Sequence, residues 1–161
     1  HGGKVWRSKV GEANVIQMMI ENDAEAGGEG SSGGFILKKF NMCRDGLLTS
    51  GLIASMIDGE SIQKDIKFFE SFSQIREKIS IESGLHDKLI IEMAKKLEKK
   101  YEINRLDGIK VNINKNTWSL IRKSNTEDII RVSTESDDKE LLEKIQKLMI
   151  ANVKSCYEEI K

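Results

Sequence analysis

The strongest constraint lies in the last third of the chain. Leu142, Ile145, Met149, Val153, Cys156 and Ile160 recur at steps of three and four residues, the spacing of one face of an α-helix. A helix apolar on one side only must lay that side against something, and the preceding residues supply the surface. Ile109, Val111 and Ile113 alternate with Lys110, Asn112 and Asn114; Trp118, Leu120 and Arg122 alternate with Ser119 and Ile121; Ile130, Val132 and Thr134 alternate with Arg131 and Ser133. This period of two marks strands buried on one face, as in an antiparallel sheet. Strands are expected over Glu102 to Leu106, Ile109 to Ile113, Thr117 to Arg122 and Ile129 to Glu135, with a weaker one over Gln74 to Ile81. Helices are expected over Leu85 to Lys100 and from the acidic cap Asp137, Asp138 to Ile160. Residues 67–161 therefore read as an α+β domain, with a four-stranded, mainly antiparallel sheet covered by helices on one face.

Residues 1–66 follow a different pattern. A short strand over Lys4 to Lys9, a helix over Glu12 to Glu25, the glycine-rich stretch "AGGEGSSGG" (Ala26 to Gly34), the strand "FILKKF" and an apolar helix over Arg44 to Ile57 alternate as in an α/β fold. Two strands are too few for a parallel sheet with covered faces, so this part reads as an incomplete α/β unit, the later portion of a larger domain. The chain has no proline, which leaves its turns to 13 glycines and to Asn, Asp and Ser. A glycine stretch held between a helix and a buried strand is read as a built turn rather than a tether. A connecting helix, "SIQKDIKFFESF", leads into the second domain.

Composition excludes several classes of function. Lys plus Arg number 26 and Asp plus Glu 26, so no net field favours a polyanion, and no nucleic-acid partner is expected. Apolar runs are too short for a membrane span and no signal-peptide pattern is present, so a cytoplasmic protein without a membrane partner is expected. Two cysteines make no disulfide framework; Cys156 falls in the apolar stripe and reads as core. His1 and His86 stand apart from any partner at ligand spacing, so no metal site is expected from these residues.

The stretch "LIRKSNTEDIIRV" (Leu120 to Val132) is the one place where polar chemistry concentrates between two strands. Turn N–H groups can converge on an anion, Ser and Thr hydroxyls add donors, and Arg binds phosphate through two parallel hydrogen bonds. Arg122, Ser124, Asn125, Thr126 and Arg131 supply those parts, while Glu127 and Asp128 oppose an anion unless turned away. The residues alone fit two readings, a solvated hairpin turn and an anion site.

The ordered pattern Asp107-Gly108, Trp118, Arg122, Ser124-Asn125-Thr126-Glu127, Arg131-Val132 resembles the C-terminal domain of the α-D-phosphohexomutases, whose motif runs D-G-(V/I)-(K/R), W, R-x-S-(N/G)-T-E-P-x-x-R-V. Asp128 departs from it, standing where that family usually has proline. Upstream, "SKVGEANV" (Ser8 to Val15), "GGEGSSGG" (Gly27 to Gly34) and "RDGL" (Arg44 to Leu47) resemble, in order, the T-x-V-G-(E/D), G-G-E sugar-loop and R-D-G segments of the family's third domain.

The resemblance implies residues 1–66 as the later part of domain three and 67–161 as domain four, the latter like the sheet-and-helix unit of TATA-binding proteins. It implies a mutase that exchanges phosphate between the 1 and 6 positions of a hexose through a phosphoserine and a bisphosphorylated intermediate. Phosphomannomutase/phosphoglucomutase chemistry is favoured over phosphoglucosamine mutase. It assigns substrate phosphate to Arg122, Ser124, Asn125, Thr126 and Arg131, sugar hydroxyls to Glu29 with Ser31 and Ser32, and a charge-stabilising or proton-shuttling role beside the reacting phosphate to Lys9. Mg²⁺, and a glucose 1,6-bisphosphate-type activator, would act in the full-length enzyme, since the chain contains neither a T-x-S-H-N-P serine loop nor a D-x-D-x-D-R metal loop. The missing N-terminal domains of the same protein are thus expected partners, and the chain alone is expected to bind phosphosugar weakly without turnover. The competing expectation is a non-enzymatic binding or interaction module with a TATA-binding-protein-like sheet.

Overall fold

The computed structural model describes residues 2–30, 34–57, 60–124 and 126–161. They fall into two compact units, His1–Ile66 and Lys67–Lys161.

In the first unit, α1 (Glu12–Glu21) precedes a hairpin of β1 (Ala26–Glu29) and β2 (Gly34–Leu37), followed by α2 (Gly46–Met56). The hairpin is antiparallel, with Ala26 opposite Leu37 and Glu29 opposite Gly34. α1 stops earlier than the expected Glu25 because Asn22 turns its side-chain amide onto the Met18 carbonyl at 3.0 Å and Asp23 enters the left-handed region at φ 52°. α2 starts where Asp45 accepts a hydrogen bond from the Leu48 N–H at 2.8 Å, an ordinary side-chain N-cap. The strand expected over Lys4 to Lys9 is not one: the segment is irregular, and Lys9 is exposed on it. Alternation creates a strand only where a neighbouring ladder takes up the backbone hydrogen bonds, and no described residue offers one there.

The boundary between the units falls within α3 (Glu60–Glu70), whose Phe68 and Phe69 pack edge-on with ring centroids 5.5 Å apart. The second unit then runs β3 (Ser73–Ser80), α4 (His86–Leu97), β4 (Glu102–Asn104), β5 (Ile109–Asn112), β6 (Trp118–Lys123), β7 (Ile129–Ser136) and α5 (Lys139–Ile160). The sheet has five strands in the order β3-β7-β6-β5-β4, all antiparallel, rather than the expected four. The additional pairing comes at the edges. β3 carries little apolar signal because an edge strand buries only Ile79 among its residues, yet it pairs with β7 along its full length.

One sheet face holds Ile79, Ile109, Val111, Ile121, Ile130 and Val132, and α4 and α5 cover it with Leu89, Met93, Leu97, Ile145, Met149, Val153 and Cys156. Asp138 caps α5 through the Leu141 N–H at 3.0 Å, and burial pushes the Cys156 thiol pKa upward, as expected of a core cysteine. No described helix is long and apolar enough to cross a membrane.

Polar side chains pair inside the core as well, and one such cluster centres on Thr134. Thr134 Oγ1 lies 2.6 Å from Gln146 Oε1 and 2.9 Å from Ser119 Oγ, all three residues being buried. The amide oxygen can only accept, so the single Thr134 proton goes to it and Ser119 donates to Thr134. Replacing Thr134 by Val keeps the shape and orphans both neighbours. The expected loss is about 1–3 kcal/mol, read as a lower urea midpoint with an unchanged slope.

Candidate functional site

Burial of Ile121, Ile130 and Val132 on one face forces Arg122 and Arg131 onto the other, because successive strand residues point to opposite sides. The register then sets Arg122 directly across from Arg131, and Arg131 directly across from Lys78 of β3. Three cations therefore form one row across three strands. Like charges placed directly opposite one another destabilise a sheet unless something answers them.

Two acids of the second unit do so in part. Glu127 Oε1 accepts from Lys78 Nζ at 3.0 Å, and Glu127 Oε2 accepts from Arg131 Nη2. Asp107 Oδ2 lies 3.9 Å from Arg122 Nε. The hydrogen bond from Lys78 first, and the Arg131 charge with it, hold the Glu127 carboxyl below the usual carboxylate range. Arg131 still has capacity to spare: its Nε is buried and donates to no acceptor among the described residues. A buried guanidinium N–H without an acceptor is uncommon in a folded protein and invites one.

The hairpin loop joining β6 and β7 flanks the Arg122–Arg131 part of this row. The Ser124 N–H donates to the Ile129 carbonyl at 3.0 Å, closing the loop, and Ser124 Oγ lies 3.5 Å from both Arg131 Nη2 and the Thr126 N–H. Asp128 contributes its backbone: its carbonyl accepts from the Ile81 N–H at 3.2 Å, while the residue itself is exposed. Arg122, Ser124, Thr126 and Arg131 are thus brought together, and Asn125 lies outside the described residues.

Gly108 explains why the Asp107-Gly108 pair belongs to this site. Its φ is +74°, and a Cβ there would meet the Ile121 carbonyl oxygen and lie 2.8 Å from Arg122 Cβ. Only glycine lets this backbone pass so close under Arg122, and the preceding Asp107 is thereby carried to the guanidinium.

In the first unit, Glu29 is half-buried at the end of β1, while Ser31 and Ser32 lie outside the described residues. The flanking glycines serve packing rather than open space. A Cβ on Gly27 would collide with Val15 and Met19 of α1, and one on Gly34 would collide with the aliphatic stem of Arg44. Arg44 is in turn fixed by Glu12, whose Oε2 lies 3.1 Å from Arg44 Nη2 and whose Oε1 accepts the Arg44 backbone N–H at 2.8 Å. Among the described glycines of this stretch only Gly30, with nothing within 4 Å, leaves open space beside the backbone.

Lys78 is the residue that sequence reasoning missed. The signal was available in the alternation of Gln74, Arg76 and Lys78 along β3, but the strand was too weakly apolar to show which neighbour it joined. Among the described residues no group of three or more His, Cys, Asp or Glu side chains could hold a metal ion, so the residues present do not fit Mg²⁺.

Gly108→Ala is expected to cost at least about 1–3 kcal/mol from the forbidden backbone region, and to displace Arg122, which thermal melts and the Arg122 side-chain NMR signals would report. Glu127 gives a second test. A depressed carboxyl pKa contributes stability above the ordinary glutamate range, and that contribution is lost as pH falls through the depressed value. Carboxyl-detected NMR titration should find Glu127 titrating below the ordinary glutamates, and Lys78→Ala should move it upward.

Residues 1–74 match the family described as phosphoglucomutase/phosphomannomutase, alpha/beta/alpha domain III, and residues 83–152 match its C-terminal domain. A probable phosphoglucosamine mutase of Methanobrevibacter smithii is 33% identical over 157 residues, covering 94% of this chain and 35% of that protein. A phosphoglucosamine mutase of Methanococcus maripaludis is 33% identical over 158 residues, covering 96% and 35%. A phosphoglucomutase/phosphomannomutase of Thermococcus kodakarensis is 34% identical over 143 residues, covering 87% and 31%. The fold matches that of a phosphoglucomutase/phosphomannomutase family protein from Burkholderia thailandensis with a TM-score of 0.74 and 21% identity, over 96% of this chain and 33% of that one. The chain thus spans about a third of the length of the curated relatives it matches. With its domain III segment and C-terminal domain in the family's order, the chain belongs to the phosphoglucomutase/phosphomannomutase family of phosphohexomutases.

Proposed function

We propose that this chain is the substrate-holding C-terminal portion of a mutase that interconverts hexose 1-phosphate and hexose 6-phosphate, and that the row flanked by the β6–β7 loop grips the phosphate that is not reacting. The observation that carries the reading is the buried Arg131 Nε with no acceptor among the described residues, in a cation row that two carboxylates answer only in part. A phosphate dianion would accept from Arg131 and Arg122, and the Ser124 hydroxyl and the Thr126 N–H stand at the same loop as further donors. Asn125 would add to this set by its place in the loop. Neutralising the row would relieve the repulsion between facing cations, so binding and sheet stability would favour the same state.

Glu29 is the sugar-hydroxyl acceptor in this reading, with Ser31 or Ser32 beside it. A carboxylate can accept from two hydroxyls at once, and the hairpin holding Glu29 is pinned by Arg44 and α1. Lys9 is proposed to act near the reacting phosphate, consistent with its exposure. The names of the relatives shift the substrate preference: two of the three are named as a phosphoglucosamine mutase or a probable one, which supports an aminohexose phosphate over the glucose or mannose phosphate favoured on sequence grounds. The phosphoserine, the Mg²⁺ and any bisphosphate activator belong to the rest of a full-length enzyme, and the present chain is proposed to bind without turnover. A cytoplasmic setting is part of the same proposal.

Titration of the chain with glucosamine 6-phosphate, glucose 1-phosphate and a short DNA duplex, followed by Trp118 fluorescence and by the amide signals of Ser124 and Thr126, is expected to respond to the sugar phosphates alone. Arg122→Ala should weaken phosphosugar binding by about 1.5–3 kcal/mol, the scale of a charged hydrogen bond. An unchanged affinity with lowered stability would make the loop a structural turn. A response to duplex DNA would favour a binding module.

A further inference from the structure

The clamp contains a contradiction that Lys78 resolves. Arg131 Nη2, which reaches toward Ser124, is the same nitrogen that donates to Glu127. A phosphate arriving at Arg122, Ser124 and Arg131 therefore meets a carboxylate already seated on one of its donors, and two anions cannot share one guanidinium edge without repulsion. Glu127, however, has a second partner. Lys78 Nζ donates to both carboxylate oxygens, at 3.0 Å to Oε1 and 3.3 Å to Oε2, from the strand on the far side of Arg131 from Arg122.

We propose that Lys78 is a positioning residue of the phosphate site, which takes Glu127 off Arg131 when the phosphate binds. This rests on the reading of the loop as a phosphate clamp. In the unliganded chain Glu127 bridges Lys78 and Arg131 and stands in for an anion, muting the repulsion along the row. When phosphate engages Arg131, the carboxylate gives up its Arg131 hydrogen bond and stays charged on Lys78 alone. No proton moves and no covalent bond changes. The ammonium suits this part because it is a point charge on a flexible stem with three rotatable donors, able to follow the carboxylate as it swings. The exposed position of Lys78 leaves it room to do so, since its side chain is 59% exposed. Glu127 also becomes a selectivity element: it admits ligands charged enough to displace a carboxylate and disfavours weaker anions.

The consequence is a specific pattern of coupling. Without Lys78, Glu127 has Arg131 as its remaining cation and competes with phosphate. Without the Glu127 charge there is nothing for Lys78 to hold away. Dissociation constants for glucosamine 6-phosphate, measured by amide-shift titration of the 161-residue chain, should therefore behave as a cycle. Lys78→Ala is expected to weaken binding roughly three- to tenfold, a usual size for coupling between residues in contact. Lys78→Arg should restore it, Glu127→Gln should bind at least as tightly as the unmodified chain, and Lys78→Ala made in the Glu127→Gln background should have no further effect.

An equal loss from Lys78→Ala in both backgrounds would overturn the proposal, because Lys78 would then be a direct phosphate donor or a purely structural residue. Normal binding by Lys78→Ala together with weakened binding by Arg122→Ala would overturn it while leaving the clamp standing. Normal binding by both variants would remove the clamp and the proposal together.

Discussion

The second unit depends on a sheet that is buried on one face only. α4 and α5 take up the apolar side of β3, β5, β6 and β7, and the strand period of two leaves the intervening residues no choice but the other side. Packing thereby assembles charge. Seating Ile79, Ile121, Ile130 and Val132 in the core delivers Lys78, Arg122 and Arg131 to the opposite face, and the antiparallel register lines them up. A one-residue slip of β7 would send Arg131 into the core and Val132 into water, so hydrophobic burial also enforces the geometry of the cation row.

A row built this way works against folding at its own position, which accounts for the acids around it. Glu127 and Asp107 bring partial compensation from a loop and from a glycine turn, elements free to adjust in ways a strand is not. The compensation is partial in a physical sense: the Arg131 Nε is buried without an acceptor among the described residues, and Asp107 stays 3.9 Å from Arg122. Full satisfaction would make a stable surface network with nothing left to offer a ligand. Under-satisfaction leaves interaction capacity that an anion can take up.

Much of this was legible in the sequence, for reasons that differ by residue. α5 announced itself because six apolar residues keep a helical period beside a clear acidic cap, and five of the six are buried. β5, β6 and β7 were legible because each alternates strongly. β3 was faint because its one partner, β7, is distant in sequence and its exposed face, Gln74, Arg76 and Lys78, resembles any polar surface. Lys4 to Lys9 erred the other way, since a strand needs a neighbour to take up its backbone hydrogen bonds and a short stretch of sequence does not say whether one is present. At the loop, residue types left a solvated turn and an anion site both open, with donors and opposing acids in one stretch. Which way Glu127 points depends on β3, a pairing across some fifty residues that local chemistry does not encode. In the glycine stretch around Glu29, composition does not say what each glycine packs against, and the close contacts of Gly27 with Met19 and of Gly34 with Arg44 emerge only in three dimensions.

Asp128 is the remaining departure from the family pattern, and the backbone accounts for its tolerance. The bond recorded at this position is the Asp128 carbonyl accepting the Ile81 N–H, which ties the loop to the end of β3 and so keeps Lys78 and Glu127 in reach of each other. Proline has the same carbonyl and differs in lacking the N–H and in fixing φ, so either residue can make this contact. What proline would add is rigidity before binding. The Asp128 side chain is exposed, whereas Glu127 is the acid drawn onto the row. The substitution therefore changes how far the loop is preorganised while leaving the proposed phosphate donors intact, and a softer loop would suit the proposed movement of Glu127.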